Sequence, residues 1–228
     1  MNQKEPFLSL KGISKSFPIA GKRIPILKDI SFDVFKEEWI GLMGPSGSGK
    51  TTLLSIIAGL IRPDRGKILW KGKHLPYFFD IYPAYLRNRH IGVIFQDFRL
   101  VESETVWENL ILPLRIRGWY GKNQLDYAQW LLKKVGLETH KHHRAGLLSG
   151  GQKQRLSLAR AFVIQPLLVL ADEPFANLDE KTSEELLELL EILFKEQPFS
   201  MILVHHKKKL AKKCHKTYHL HEGRLELL

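Results

Sequence analysis

Residues 44 to 51 read GPSGSGKT and fit the pattern G-x-x-x-x-G-K-[ST]. In that pattern the glycines let backbone amides approach phosphate oxygens, Lys50 reaches the terminal phosphates, and the Thr51 hydroxyl can ligate Mg²⁺. Further along, the apolar run LLVLADEP closes on Asp172 and Glu173. An acidic pair at the end of a core strand is costly to hold without something to serve. A metal and a water explain it, with Asp172 holding Mg²⁺ directly or through water and Glu173 polarising the water for in-line displacement at a γ-phosphate. A third stretch, Leu148 to Phe162, runs Ser149, Gly150 and Gly151 straight into a helical pattern, the way a chain presents free helix-start amides to an anion. One chain thus carries two phosphate-type helix starts.

Elements of alternating character must hold these groups in place. Short alternating runs near the start, FLSLKGISKSF and IPILKDISFDVFKEEWIGLMG, predict antiparallel strands that lead into the strand WIGLMG. A helix over Thr51 to Leu60, a turn at Arg62 to Gly66 and a strand pair around KILWKGK follow. Residues 76 to 90, aromatic-rich and broken by Pro83, fit no element. IGVIFQD is a buried-type strand ending at Gln96. From about 104 to 164 the period turns helical: Thr105 to Glu108 is a capping box, a second helix covers Gln124 to Val135, and a third follows Ser149. LLVLADEP and SMILV return as buried strands around an amphipathic helix over Ser183 to Lys195.

The totals narrow the class. With 228 residues, 44% of them hydrophobic, the chain can bury a core and fits one large domain, 1–228. The single Cys214 has no partner and no metal-type spacing, which argues against disulfides and zinc and fits a reducing cytosol. The start MNQKEPFLSLKG lacks the apolar core of a signal peptide, and no apolar run approaches the roughly 18 residues of a membrane span. A formal charge of +11 suggests an anionic partner such as a nucleotide, nucleic acid or an acidic membrane face. Much of the excess lies in runs such as Lys207, Lys208, Lys209, Lys212 and Lys213, which alternate with apolar positions and read as a solvated helix face.

Taken together, LLSGGQKQR, GPSGSGKT, LADEP and Gln96 resemble the ATP-binding subunit of ABC transporters over nearly the whole chain. The resemblance implies an α/β fold of the P-loop NTPase, ABC-type ATPase class, with a parallel core sheet, an N-terminal antiparallel β subdomain and an inserted helical subdomain at roughly 97 to 160. It implies ATP and Mg²⁺ as cofactors, ATP hydrolysis to ADP and phosphate, and a homodimer of ATP-binding subunits. In that family the LSGGQ segment contacts the γ-phosphate of ATP held by the other subunit, so Ser149, Gly150, Gly151 and Gln152 act in trans. The phosphate-loop set carries over as Gly44, Pro45, Ser46, Gly47, Ser48, Gly49, Lys50, Thr51 and Thr52. Thr51, Gln96 and Asp172 are the implied Mg²⁺ ligands, and Gln96 also links nucleotide to membrane partner. Asn177 to Asp179 matches the loop through which the subunits read each other's sites, with a helix cap by Asp179 fully compatible. Phe17 stands where adenine is stacked, more often by tyrosine. The pattern Thr-His-Asp, with LHEGRL downstream matching the L-x-D-G-x-I ending, puts the switch histidine at His206 and not His205. Lys207 replaces the usual acid after it, and Phe175-Ala176 replaces a small pair after the acidic residues.

Within the family, LRNRHIGVIFQ, TVWENLILPLRIRG and KVGLE look like the branch of the lipoprotein-releasing ATPase LolD, the macrolide-exporter ATPase MacB and the cell-division ATPase FtsE. LRNRHIG and ENLILPL lean to the lipoprotein-releasing type, FQDFRL to the cell-division type. The resemblance implies integral membrane permease subunits as partners and a peripheral place on the cytoplasmic side of the inner membrane. Phe98, Leu100 and Trp107, beside Gln96, are candidates for the permease contact. Nucleic acid is not an expected partner, because the coiled-coil or zinc insertions of related DNA-repair ATPases are missing between the motifs.

Overall fold

The computed structural model describes residues 5–75, 81–118, 120–176, 178–206 and 208–228. In chain order its first elements are β1 (Leu8–Ile19), β2 (Lys22–Val34), β3 (Trp39–Met43), α1 (Lys50–Ile57), β4 (Arg65–Trp70), β5 (Lys73–His74), α2 (Ile81–His90) and β6 (Ile91–Ile94). There follow α3 (Val106–Arg117), α4 (Lys122–Lys134), α5 (Gly150–Phe162), β7 (Leu168–Asp172), α6 (Glu180–Glu196), β8 (Ser200–Val204), α7 (Lys208–Ala211), β9 (Lys216–His221) and β10 (Arg224–Leu227). They form two compact units, residues 1–87 with 200–228, and residues 88–199. Among the described residues no helix is long and apolar enough to cross a membrane.

In the first unit, β2, β1, β4 and β5 make an antiparallel sheet, with Leu8 opposite both Val34 and Trp70. Gly66 is obligatory there: at φ +93° a Cβ would lie 2.4 Å from the Gly12 carbonyl oxygen of the neighbouring strand. β3, whose run WIGLM is apolar on both faces, pairs in parallel with β8 on one side and β9 on the other, as a doubly covered strand should. α1 stops at Ile57, short of the expected Leu60, because Gly59 turns left-handed at φ +69°. Its end is held by Arg87 of α2, which donates to the Ala58 and Gly59 carbonyls at 3.3 and 2.8 Å. The segment that fitted no element is α2 from Ile81 onward; Pro83 sits in the first turn, where a missing N–H costs no intrahelical bond. Its residues 76–80 lie outside the described set.

In the second unit β6 and β7 pair in parallel, Ile91 opposite Leu168 and Ile94 opposite Ala171. α5 lies against β6 so closely that a Cβ on Gly92 would come 2.6 Å from the Ala161 carbonyl oxygen. The expected capping box opens α3: Glu108 N donates to Thr105 Oγ1 at 3.1 Å and Thr105 N to Glu108 Oε2 at 2.9 Å. α6 turns Leu186, Leu189, Leu190 and Leu193 inward, an i, i+3, i+4, i+7 stripe. Two boundaries differ from expectation. β6 ends at Ile94, leaving Gln96 on the following turn, and α6 begins at Glu180, before Ser183, because Asp179 caps it. The lysine-rich helix is the short α7; Lys212 and Lys213 lie beyond it and are exposed, while Lys207 and the side chains of Lys208 and Lys209 lie outside the described set.

Candidate functional site

The first unit builds the phosphate loop between β3 and α1. Gly44, Gly47 and Gly49 take φ values of +148°, +77° and +104°, open to glycine and strained for any other residue. A Cβ at Gly44 would lie 2.2 Å from the Leu220 carbonyl oxygen, and one at Gly49 2.8 Å from Ile26 Cγ2. Lys50 is buried at the start of α1, where its Nζ donates to the Gly44 and Pro45 carbonyls at 2.9 Å each. The loop thus curls round its own lysine, and the Ser48 amide closes it on the Pro45 carbonyl at 3.2 Å. Pro45, Ser46, Gly47 and Thr51 are exposed and Thr52 is half-buried. The first amides of α1 have no intrahelical acceptor, and Ser48 Oγ is buried without a hydrogen-bond partner among the described residues. Ammonium, hydroxyls and free amides around one loop form a donor set that suits a polyphosphate.

Phe17 is half-buried on β1 opposite Ile24, and the Lys15 ammonium lies 5.4 Å from its ring centroid. The two histidines after β8 part company. His205 is buried, its ring against Gly41, where a Cβ would stand 2.8 Å from Nε2. His206 is exposed. Its other neighbour, Lys207, lies outside the described set.

The second unit carries the acids. Asp172 ends β7 buried, and Glu173 follows half-buried in a left-handed conformation, φ +46°. Left-handed backbone at a non-glycine residue stores strain, and such residues cluster at active sites, ligand clamps and switch regions. Phe175 is buried after it, while Asn177 lies outside the described set. Asp179 caps α6: its Oδ1 accepts from Thr182 N at 2.9 Å and its Oδ2 from Thr182 Oγ1 at 2.7 Å. The Thr182 amide first, and then its hydroxyl, hold the Asp179 carboxyl below the ordinary aspartate range.

Gln96 is exposed just past β6. The turn after it places Phe98 and Arg99 at φ +36° and +49°. Arg160 of α5 secures that turn, donating to the Phe98 and Arg99 carbonyls at 2.6 Å each. Burial pushes the Arg160 pKa down. Phe98, Leu100 and Trp107 are half-buried, and Lys141 covers one face of Trp107 at 4.1 Å. Ser149 N-caps α5 and is exposed with Gly150, and a Cβ at Gly150 would meet nothing within 4 Å. Gly151 and Gln152 are half-buried; the Ser149 amide donates to Gln152 Oε1 at 2.9 Å.

Two further residues escaped the sequence reading. Gln154, buried in α5, donates through Nε2 to the Pro174 carbonyl at 2.7 Å, tying the serine-glycine helix to the acidic loop. Arg160 was the second. The signal was available for the first: Gln154 shares a helix face with Leu158 and Ala161, so a polar group stands on an apolar stripe.

The family model for ABC transporter matches residues 27–176. The chain is 39% identical over 223 residues to the ABC transporter ATP-binding protein YtrE of Bacillus subtilis, covering 96% of each chain. It is also 39% identical over 222 residues to the lipoprotein-releasing system ATP-binding protein LolD of Francisella tularensis, covering 97% of this chain and 96% of the other. Its backbone superposes with a TM-score of 0.88 on the dimeric ATP-binding cassette MJ0796 bound to ADP and phosphate, at 33% identity and 96% coverage of each chain. A glycine loop wrapped on its lysine, an acidic pair ending a buried strand and this breadth of likeness lead to one conclusion: the chain belongs to the ABC transporter family, as an ATP-binding subunit that hydrolyses ATP to power a transporter.

Proposed function

We propose that this subunit works as a homodimer in which Ser149, Gly150, Gly151 and Gln152 of one chain complete the nucleotide pocket begun by residues 44–52 of the other. The exposed, serine-capped start of α5 carries the proposal: it offers free amides with no side chain at Gly150 in the way. Phe17 stacks the adenine, Lys50 binds the terminal phosphates, and Glu173 takes the proton from the attacking water as the bond to the leaving ADP breaks. Thr51, Gln96 and Asp172 hold Mg²⁺, which supplies charge neutralisation on the phosphates when bound. His206 reads the γ-phosphate, and Asp179 reports across the dimer.

The motor sits peripherally on the cytoplasmic side of the inner membrane and drives integral permease subunits in lipoprotein release, contacting them through Phe98, Leu100 and Trp107. Likeness to the LolD protein along nearly the whole chain supports this cargo class. Mass spectrometry of what co-purifies with the tagged Glu173→Gln chain and ATP from gently solubilised membranes tests it. Permeases with large periplasmic domains, together with lipoproteins, are expected. A division-type partner with cell-wall hydrolase regulators, or soluble proteins alone, would overturn the assignment of cargo while leaving the ATPase intact. The trans pocket is tested separately, since Ser149→Arg should stop hydrolysis in the assembled complex.

A further inference from the structure

His140 closes a short 3-10 turn, Glu138–His140, well outside the motifs, yet its ring reaches α5. Its Nε2 lies 3.3 Å from Gln152 Nε2, and its Nδ1 lies 3.1 Å from Thr139 Oγ1. The polarity of this chain of contacts follows from one end. Gln152 Oε1 accepts from the Ser149 amide at 2.9 Å, so the amide nitrogen of Gln152 is what faces the imidazole, and it can only donate. The imidazole Nε2 must therefore accept, which puts the ring proton on Nδ1, where it donates to the threonine hydroxyl. Four groups, the Thr139 hydroxyl, the imidazole, the Gln152 amide and the Ser149 N–H, are thereby fixed in a single direction.

We propose that His140 is a positioning residue for the signature segment: as a neutral acceptor it sets the orientation of the Gln152 amide, and through it the Ser149 backbone at the start of α5. The proposal rests on the reading that this segment binds the second subunit's nucleotide. A second proton on the ring would set donor against donor; Gln152 would have to rotate, turning its nitrogen towards the Ser149 N–H and losing the cap. The charged groups around the imidazole are otherwise engaged. Glu138 accepts from Gln129 at 3.3 Å, Lys141 donates to Gln129 at 2.7 Å, and Lys153 pairs with Glu102 at 2.9 Å. Arg155 pairs with Glu185. The His143 ring lies edge-on to His140 with centroids 5.2 Å apart.

The test is ATP-driven dimerisation of the full chain by sedimentation, in a Glu173→Gln background that prevents turnover. Glutamine at 140 carries an amide oxygen where Nε2 stands, whereas asparagine holds its amide too near the backbone to reach Gln152. His140→Gln should dimerise at the ATP concentration of the parent, and His140→Asn should need about fivefold more, the size of one lost helix cap. Equal behaviour of the glutamine and asparagine variants overturns the proposal, since a merely structural side chain would not be rescued by glutamine alone. Ser149→Arg run alongside keeps the two readings apart. If it still dimerises, the trans pocket itself is wrong; if it fails while His140→Asn behaves as the parent, only the role of His140 falls.

Discussion

Glu173 holds φ at +46°, a conformation that L-residues adopt at a cost of about 1–2 kcal/mol. Replacing it by alanine or by glycine removes the same carboxylate, so the two variants differ by one methyl group and, chiefly, in backbone preference. Alanine keeps the left-handed strain. Glycine does not, but its unfolded chain is freer, which costs about 0.4–1 kcal/mol. The difference leaves Glu173→Gly more stable than Glu173→Ala by about 0.8 kcal/mol, or roughly 2–3 °C in Tm for a chain of this size. That order is the reverse of the one found within helices, where glycine is the weaker residue. Equilibrium urea unfolding of the two nucleotide-free variants measures it, and neither should turn over ATP, which removes function from the comparison. If Glu173→Ala equals or exceeds Glu173→Gly in stability, the residue is not strained and the inference from backbone to function fails.

Three other outcomes are expected. Gly92→Ala must force β6 from α5, since its Cβ would lie 2.6 Å from a backbone oxygen; a loss of about 1–3 kcal/mol in urea unfolding is predicted, and an unchanged midpoint would contradict the packing. The Ser16 amide, then Lys15 and Arg23, hold the Asp64 carboxyl below its ordinary 3.8. A depressed carboxylate stabilises fully above the unfolded value and loses that contribution as pH falls through the folded one. The advantage of the parent over Asp64→Asn should therefore be constant near neutrality and shrink below pH 3.8, and a difference independent of pH would exclude the charge as its source. Burial pushes the Cys214 thiol up to about 11, so iodoacetamide at neutral pH should label the folded chain far more slowly than the urea-unfolded one, with equal rates counting against the burial.

Much of this was legible in the residues because the signals are local. The capping box at Thr105, the doubly apolar strands WIGLM and SMILV, and the leucine stripe of α6 each state their own conformation. What escaped depends on contacts distant in sequence. Pro83 reads as a breaker in isolation, yet in a first turn it breaks nothing, and Arg87 beyond it holds the end of α1. Gln154, although inside LLSGGQKQR, Arg160 and His140 have no role that spacing assigns; their partners, at Pro174, Phe98 and Gln152, are decided only when α5 is packed. Spacing alone picked out the candidate positions, whereas the residues that brace them have to be read from the packing.

α5 has a mechanical meaning beyond its place in the fold. One end begins at Ser149, and about 16 Å along its axis Arg160 grips the carbonyls of the turn after Gln96, with Ser157 adding a bond to Phe98 O at 3.3 Å. A helix braced in this way is a connecting rod. A loop between the two ends would absorb a small displacement as slack, but a hydrogen-bonded cylinder passes on the full stroke. The end that begins at Ser149 and the turn beside Gln96 are thereby tied to one stiff element rather than to a slack loop.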